Sequence, residues 1–176
     1  MAAAGDDLSG EARFVDAMLA RGSRVLDAGC GPGRVGSHLA GAGHEVVGVD
    51  IDPVLIAAAQ DDHPGPTWLV ADLAELDLAA TGIDDGFDAV VCAGNVMTFL
   101  DPATRQSVLD RLAVHLRPGG RIVTGFGAGR GYSFAEFFED VERAKLVVDV
   151  LLASWDLRPF TAESSFLVAV LSLREV

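Results

Sequence analysis

The chain has 176 residues, half of them apolar, and carries a formal charge of −13 at neutral pH. That length and apolar share suit one globular domain with a substantial core and exclude a disordered chain. The acidity repels a phosphate backbone over most of the surface, and Lys145 is the only lysine among thirteen basic residues, so nucleic acid is not an expected partner.

In chain order, "LSGEARFVDAML" is amphipathic and predicts a helix over about residues 8–21 that caps the sheet. Residues 23–28 read as a buried strand, followed by a glycine turn and a helix over about 33–42, with Val35 and Leu39 on one face. "EVVGVD" is a second strand, and Pro53 opens a helix that runs toward Asp61 before "HPGP" breaks it. Residues 67–71, 87–92 and 121–126 give three more strands, with a helix over about 103–116 between the last two. A helix over about 133–144 leads to "LVVDVLLASW" and, after some ten residues containing Pro159, to "SFLVAVLSLR". So short a link favours an antiparallel hairpin, whereas the earlier alternation implies a parallel sheet covered on both faces. No repeat or linker interrupts the pattern, and residues 1–176 are expected to form a single domain.

No apolar run reaches the roughly 18–20 residues a bilayer span needs. The opening "MAAAGDDLSGEAR" lacks the basic and then hydrophobic layout of a secretory signal, so the expected location is cytoplasmic, without membrane association. Cys30 and Cys92 lack metal-ligand spacing and read as small apolar fillers, so no disulfide or metal is expected.

The stretch "GPGRVG" satisfies the G-x-G-x-x-G pattern of a dinucleotide site, yet Asp27 stands two residues before Gly29 at the end of the first strand. A carboxylate there repels a diphosphate and attracts an ammonium or sulfonium. Asp50, at the end of the second strand, suits a grip on ribose hydroxyls, and Asp72, past the third, can accept a hydrogen bond from an exocyclic amine. Taken singly, Asp50 and Asp72 read equally as caps or turn residues; with Asp27 they form an acidic crescent that favours ligand binding. Asp52, just before Pro53, reads as a helix cap.

In order and spacing, "VLDAGCGPGRVGSHLA", "VVGVDID", "WLVADL", "FDAVVCAGNVMTFL" and "LRPGGRIVTGF" resemble the successive motifs of class I S-adenosylmethionine-dependent methyltransferases. The resemblance implies a Rossmann-like doubly wound α/β sheet of seven strands in the order 3-2-1-4-5-7-6, mostly parallel with an antiparallel C-terminal strand and helices on both faces. It also implies S-adenosylmethionine as cofactor and S-adenosylhomocysteine as product. On that basis Asp27, Gly29, Cys30 and Gly31 lie along the methionine part and Gly33 opens the helix. Asp50 holds the ribose, Ile51 packs on the adenine, and Asp72 and Leu73 face its amine. Ala93, Gly94 and Asn95 line the passage to the reactive methyl.

Methyl transfer is an in-line displacement in which positioning alone lowers the barrier by about 7–11 kcal/mol, so a general base is optional. His44, His63 and His115 precede strands and belong at the end of the sheet opposite the ligand, while His38 lies inside the first helix. No histidine is therefore a candidate base. Asn95 and Tyr132 remain as catalytic candidates, and the glycine-rich "GFGAGRGYSF" offers Arg130 and Tyr132 for substrate contact. Trp155 and Arg158, near the final hairpin, are further candidates for a pocket rim. The expected acceptor is a small molecule, met by a monomer or homodimer. Two other classes compete: a non-catalytic S-adenosylmethionine-binding regulatory or accessory protein, and a nicotinamide-dependent oxidoreductase. Asp27 opposes the second, as does Glu136, which stands four residues after Tyr132 where short-chain dehydrogenases carry lysine.

Overall fold

The computed structural model describes residues 9–174. Runs of Val, Leu and Ile buried on both sides form a sheet of seven strands. They are β1 (Arg24–Ala28), β2 (Glu45–Asp50), β3 (Thr67–Val70), β4 (Phe87–Cys92), β5 (Leu116–Gly127), β6 (Leu146–Leu152) and β7 (Phe166–Leu173). Their order is β3-β2-β1-β4-β5-β7-β6, as expected. The pairings among β1 to β5 are parallel, and β7 runs antiparallel to both β5 and β6.

Side chains alternate across each strand, so one strand feeds two cores. Val25, Val46, Ala89, Val91 and Val123 pack beneath α1 (Gly10–Ala17) and α2 (Arg34–Gly41). Leu26, Val47, Val90 and Ile122 pack on the opposite face with α5 (Arg105–Val114) and α6 (Phe134–Arg143). A third cluster joins Cys30 and Trp68 to Ile56 and Ala59 of α3 (Pro53–Asp62). A short α4 (Val96–Phe99) follows β4 and was not predicted.

Two predicted boundaries move. The capping helix occupies Gly10–Ala17 of the expected span, and the predicted start at residue 8 lies outside the described residues. The helix expected to reach residue 116 stops at Val114, because Leu116 already pairs with Phe87 and begins β5. The strand then passes through Pro118 with a register shift between Phe87 and Ala89, a bulge that hides the early start from a periodicity reading.

This winding places the loops after β1, β2, β3, β4, β5 and β6 at one end of the sheet, the end where ligands bind in open α/β sheets. No helix among the described residues is long and apolar enough to cross a membrane.

Candidate functional site

The loop after β1 holds its three leading glycines for different reasons. All have positive φ: 78° at Gly29, 54° at Gly31 and 86° at Gly33. A Cβ at Gly29 would lie 2.6 Å from a methyl of Val96, and one at Gly33 would lie 2.9 Å from the Trp68 ring, so these two serve close packing. At Gly31 no atom stands within 4 Å, and this glycine opens onto the site. Cys30 turns inward against Trp68 and Ile56, a filler within the loop.

The amides of this loop are already engaged. Gly29 and Cys30 donate to the Val49 carbonyl at 2.8 and 2.9 Å, Gly33 donates to Cys30 at 3.0 Å, and Gly31 donates to Asp50 Oδ2 at 2.8 Å. A pyrophosphate cradle depends on loop amides aimed at the ligand. These four point into the protein, which leaves carboxylates as the polar feature of the pocket.

Asp27 is 2% exposed. The N-cap of α2 is Gly33, which has no side chain to offer, and Asp27 Oδ2 takes that role from β1 by accepting from Gly36 N at 2.8 Å. Burial pushes its carboxyl up to about 7, opposed by the Gly36 bond and the Arg34 charge. Asp27 thus lies at the floor of the site, fastening strand to helix. Of the three carboxylates in the acidic crescent read from the sequence, this one is buried.

Asp50 accepts from Gly31 N through Oδ2 and from Asp52 N at 3.0 Å through Oδ1. Each oxygen keeps a further acceptor direction, so the side chain is oriented by the backbone yet able to take two hydroxyls. Ile51 beside it is 67% exposed, an apolar platform at the strand end. Asp72 is exposed and caps the 3-10 turn Leu73–Glu75 through Ala74 N, so its turn-forming role coexists with an open flank. The Leu73 side chain is buried in the α5/α6-side core, which corrects the expectation that it faces a ligand as far as the side chain goes. Asp52 caps α3 through Val54 N, as its place before Pro53 foretold.

After β4, Ala93 is buried, while Gly94, with φ of 71°, has nothing within 4 Å of a would-be Cβ. Asn95 occupies the left-handed region at φ 64°, and its Oδ1 accepts from Gly127 N at 2.8 Å, tying the ends of β4 and β5. Arg130 is exposed and folds back over Gly127, its Nε 3.3 Å from the position of an added Cβ there. Tyr132 is not at this surface. It is 1% exposed, stacked on Phe126 at 5.7 Å, covered by the Arg105 guanidinium at 4.1 Å, and donates to Asp140 Oδ2 at 2.6 Å. Its candidacy for catalysis and for substrate contact is therefore corrected to an anchor for the loop, since burial removes it from any acceptor.

Trp155 and Arg158 line an open cleft of about 480 Å³ between the start of α1 and the turn after β6. Gly10, Glu11, Arg13, Ala153, Ser154 and Asp156 complete its walls, and Trp155 meets Phe14 of α1 edge to face at 5.8 Å. The sequence reading missed Glu11 and Arg13. The available signal was Arg34, a cation at a helix start where the dipole disfavours one; it pairs with Glu11. The histidines serve elsewhere: His44 binds Asp16, His115 Nε2 accepts from Leu78 N, the His63 carbonyl accepts from the Trp68 ring, and His38 is exposed on α2.

A doubly wound sheet with a reversed seventh strand, an acid-lined glycine loop and open strand ends defines an α/β cofactor-binding protein rather than a dinucleotide oxidoreductase. Residues 25–120 match the family described as a methyltransferase domain. A TehB-like S-adenosylmethionine-dependent methyltransferase from Corynebacterium glutamicum is 47% identical and superposes with a TM-score of 0.93, over 98% of this chain and 92% of that one. At 13% identity, an S-adenosylmethionine-dependent methyltransferase from Clostridium acetobutylicum shares the fold over 98% of this chain and 94% of its own, with a TM-score of 0.85. A ubiquinone biosynthesis O-methyltransferase from Xylella fastidiosa is 32% identical over 137 residues, 74% of this chain and 51% of that protein. The chain spans about half the length of the curated relatives it matches. It belongs to the S-adenosylmethionine-dependent methyltransferases, whose cofactor is S-adenosylmethionine.

Proposed function

We propose that this chain transfers a methyl group from S-adenosylmethionine to a small-molecule acceptor. The observation that carries the reading is the loop after β1: its amides are satisfied internally and one of them, from Gly31, orients Asp50. Such a pocket suits a ligand read by carboxylates. The cofactor supplies a methyl on a sulfonium sulfur, open to in-line displacement.

The remaining steps belong to the protein. Asp50 takes the ribose hydroxyls on its unshared acceptor directions, and Ile51 gives the adenine an apolar surface. Asp72 accepts from the adenine amine on its exposed side. Asp27, beneath the loop, offers its second oxygen to the ammonium. Gly31 and Gly94 leave space where a side chain would block the ligand, and Asn95 holds the β4 loop against β5 at the passage to the acceptor. Arg130, Trp155 and Arg158 meet the acceptor from the β5 loop and the cleft. No histidine reaches this end, so the protein positions an already reactive nucleophile rather than removing its proton. The acidic surface argues against a nucleic-acid acceptor.

Calorimetric titration with S-adenosylmethionine, S-adenosylhomocysteine and NADH in parallel tests the cofactor. Micromolar binding of the first two without NADH is expected, and binding of NADH alone would overturn the reading. Transfer of a radioactive methyl to candidate acceptors then separates an enzyme from a non-catalytic binder.

A further inference from the structure

Arg34 breaks a local rule. As the first residue of α2 it puts a cation where the helix dipole favours an anion. Its compensation comes from outside its own helix. The guanidinium makes a bidentate pair with Glu11 of α1, NH1 to Oε2 at 2.8 Å and NH2 to Oε1 at 2.9 Å, and the Glu11 side chain is 16% exposed.

The pair joins two functional surfaces. On one side, Arg34 directly follows Gly33 of the glycine loop and acts on Asp27 beneath it, drawing that carboxyl down against the larger upward effect of burial, to which Asp50 and Glu11 add. On the other side, Glu11 and Gly10 form one wall of the 480 Å³ cleft. The facing wall is fixed: the turn after β6 is closed by Ala153 N donating to Arg158 O at 2.7 Å and holds Leu157 in the left-handed region at φ 70°. Phe14, one turn along α1 from Glu11, packs on Trp155 of that wall. The width of the cleft therefore depends on where α1 sits.

Resting on the cofactor assignment above, we propose that Arg34 is a positioning residue: its fork on Glu11 clamps α1 to the cofactor loop, so that cofactor binding and the shape of the acceptor cleft are coupled. By linkage the coupling is reciprocal, and whatever docks α1 more firmly also tightens the cofactor by the same factor.

The test follows deuterium uptake of the α1 peptide by mass spectrometry, with and without S-adenosylhomocysteine. It compares the wild type, Glu11→Gln, Arg34→Lys and the doubly exchanged Glu11→Arg/Arg34→Glu protein, with calorimetric affinities for each. In the wild type the ligand is expected to slow exchange in α1. In Glu11→Gln exchange without ligand is expected to be about fivefold faster, the loss of one good ion pair. The ligand-induced slowing disappears, and the dissociation constant rises by the factor of protection lost. Arg34→Lys keeps the charge without the fork and behaves like Glu11→Gln, whereas the exchanged pair restores both readouts. Unchanged α1 exchange in Glu11→Gln, undiminished ligand-induced slowing, or tighter ligand binding would each overturn the coupling. If the wild type binds no S-adenosylhomocysteine, the cofactor assignment falls with it; binding with an indifferent α1 sinks the coupling alone.

Discussion

Asp27 serves two ends with one carboxyl group: it caps α2 through Gly36 N and sits at the floor of the pocket. Its carboxyl, normally near 3.8, lies near 7 in the folded chain because it is buried. Between about pH 4 and 7 the folded state therefore holds a proton that the unfolded chain has lost. The stabilisation is fully present below about pH 4 and is lost as pH rises through 7, by on the order of 4 kcal/mol at most. Asp27→Asn keeps an acceptor for Gly36, so its melting temperature should be flatter across that window and exceed that of the wild type near pH 8. A parallel decline in both proteins would refute the assignment. Asp50→Ala should weaken S-adenosylhomocysteine binding by about 1–3 kcal/mol, and it should also lower the melt, because Gly31 N and Asp52 N lose their acceptor. Tyr132→Phe should change the melt alone. Losing the bond to Asp140 should cost about 1.5–3 kcal/mol of stability and leave calorimetric cofactor affinity untouched. These residues also show what a sequence conveys: the Asp27, Asp50 and Asp72 positions were legible as strand-end carboxylates. The burial of Tyr132 was not, because it arises from Arg105 and Phe126, neither of which is a sequence neighbour.

Among the elements, the β1–α2 unit shows most clearly how packing assigns roles that spacing leaves open. Gly33, Gly36 and Gly48 all face the Trp68 ring, which reaches from β3 across β2 to the start of α2. A Cβ at Gly48 would stand 2.2 Å from that ring, so Gly48→Ala should overpack the α3 side of the sheet and cost about 1–3 kcal/mol in chemical denaturation. A midpoint within error of the wild type would show that Trp68 can retreat freely. The G-x-G-x-x-G spacing marked a strand–turn–helix correctly, yet it could not distinguish Gly31, which faces open space, from Gly33, which accommodates an indole. A helix end set by local chemistry was legible, since Asp52 caps α3 as read; the structure adds a capping box of Ser133 with Glu136 at the start of α6. The early start of β5 was not, because pairing with Phe87 carries the chain into the sheet at Leu116.

For the whole molecule, ligand binding to the folded state alone raises stability by about 2.7 kcal/mol at a hundredfold excess over the dissociation constant. In a chain of 176 residues this corresponds to a shift of roughly 5–10 °C, which S-adenosylhomocysteine should produce in a thermal melt and NADH should not. The sequence by itself determined the alternation of strands and helices, the antiparallel final hairpin and the carboxylates at three strand ends, because periodicity and turn chemistry act over a few residues. The sheet order and the family came from the resemblance of five motifs, and the folded chain bears both out. Only the tertiary structure decided which glycine opens onto free space, that Tyr132 is an anchor, and that α1 and the turn after β6 enclose a cleft with Glu11 held by Arg34. Those facts depend on side chains that the fold brings together, and periodicity carries no record of such contacts.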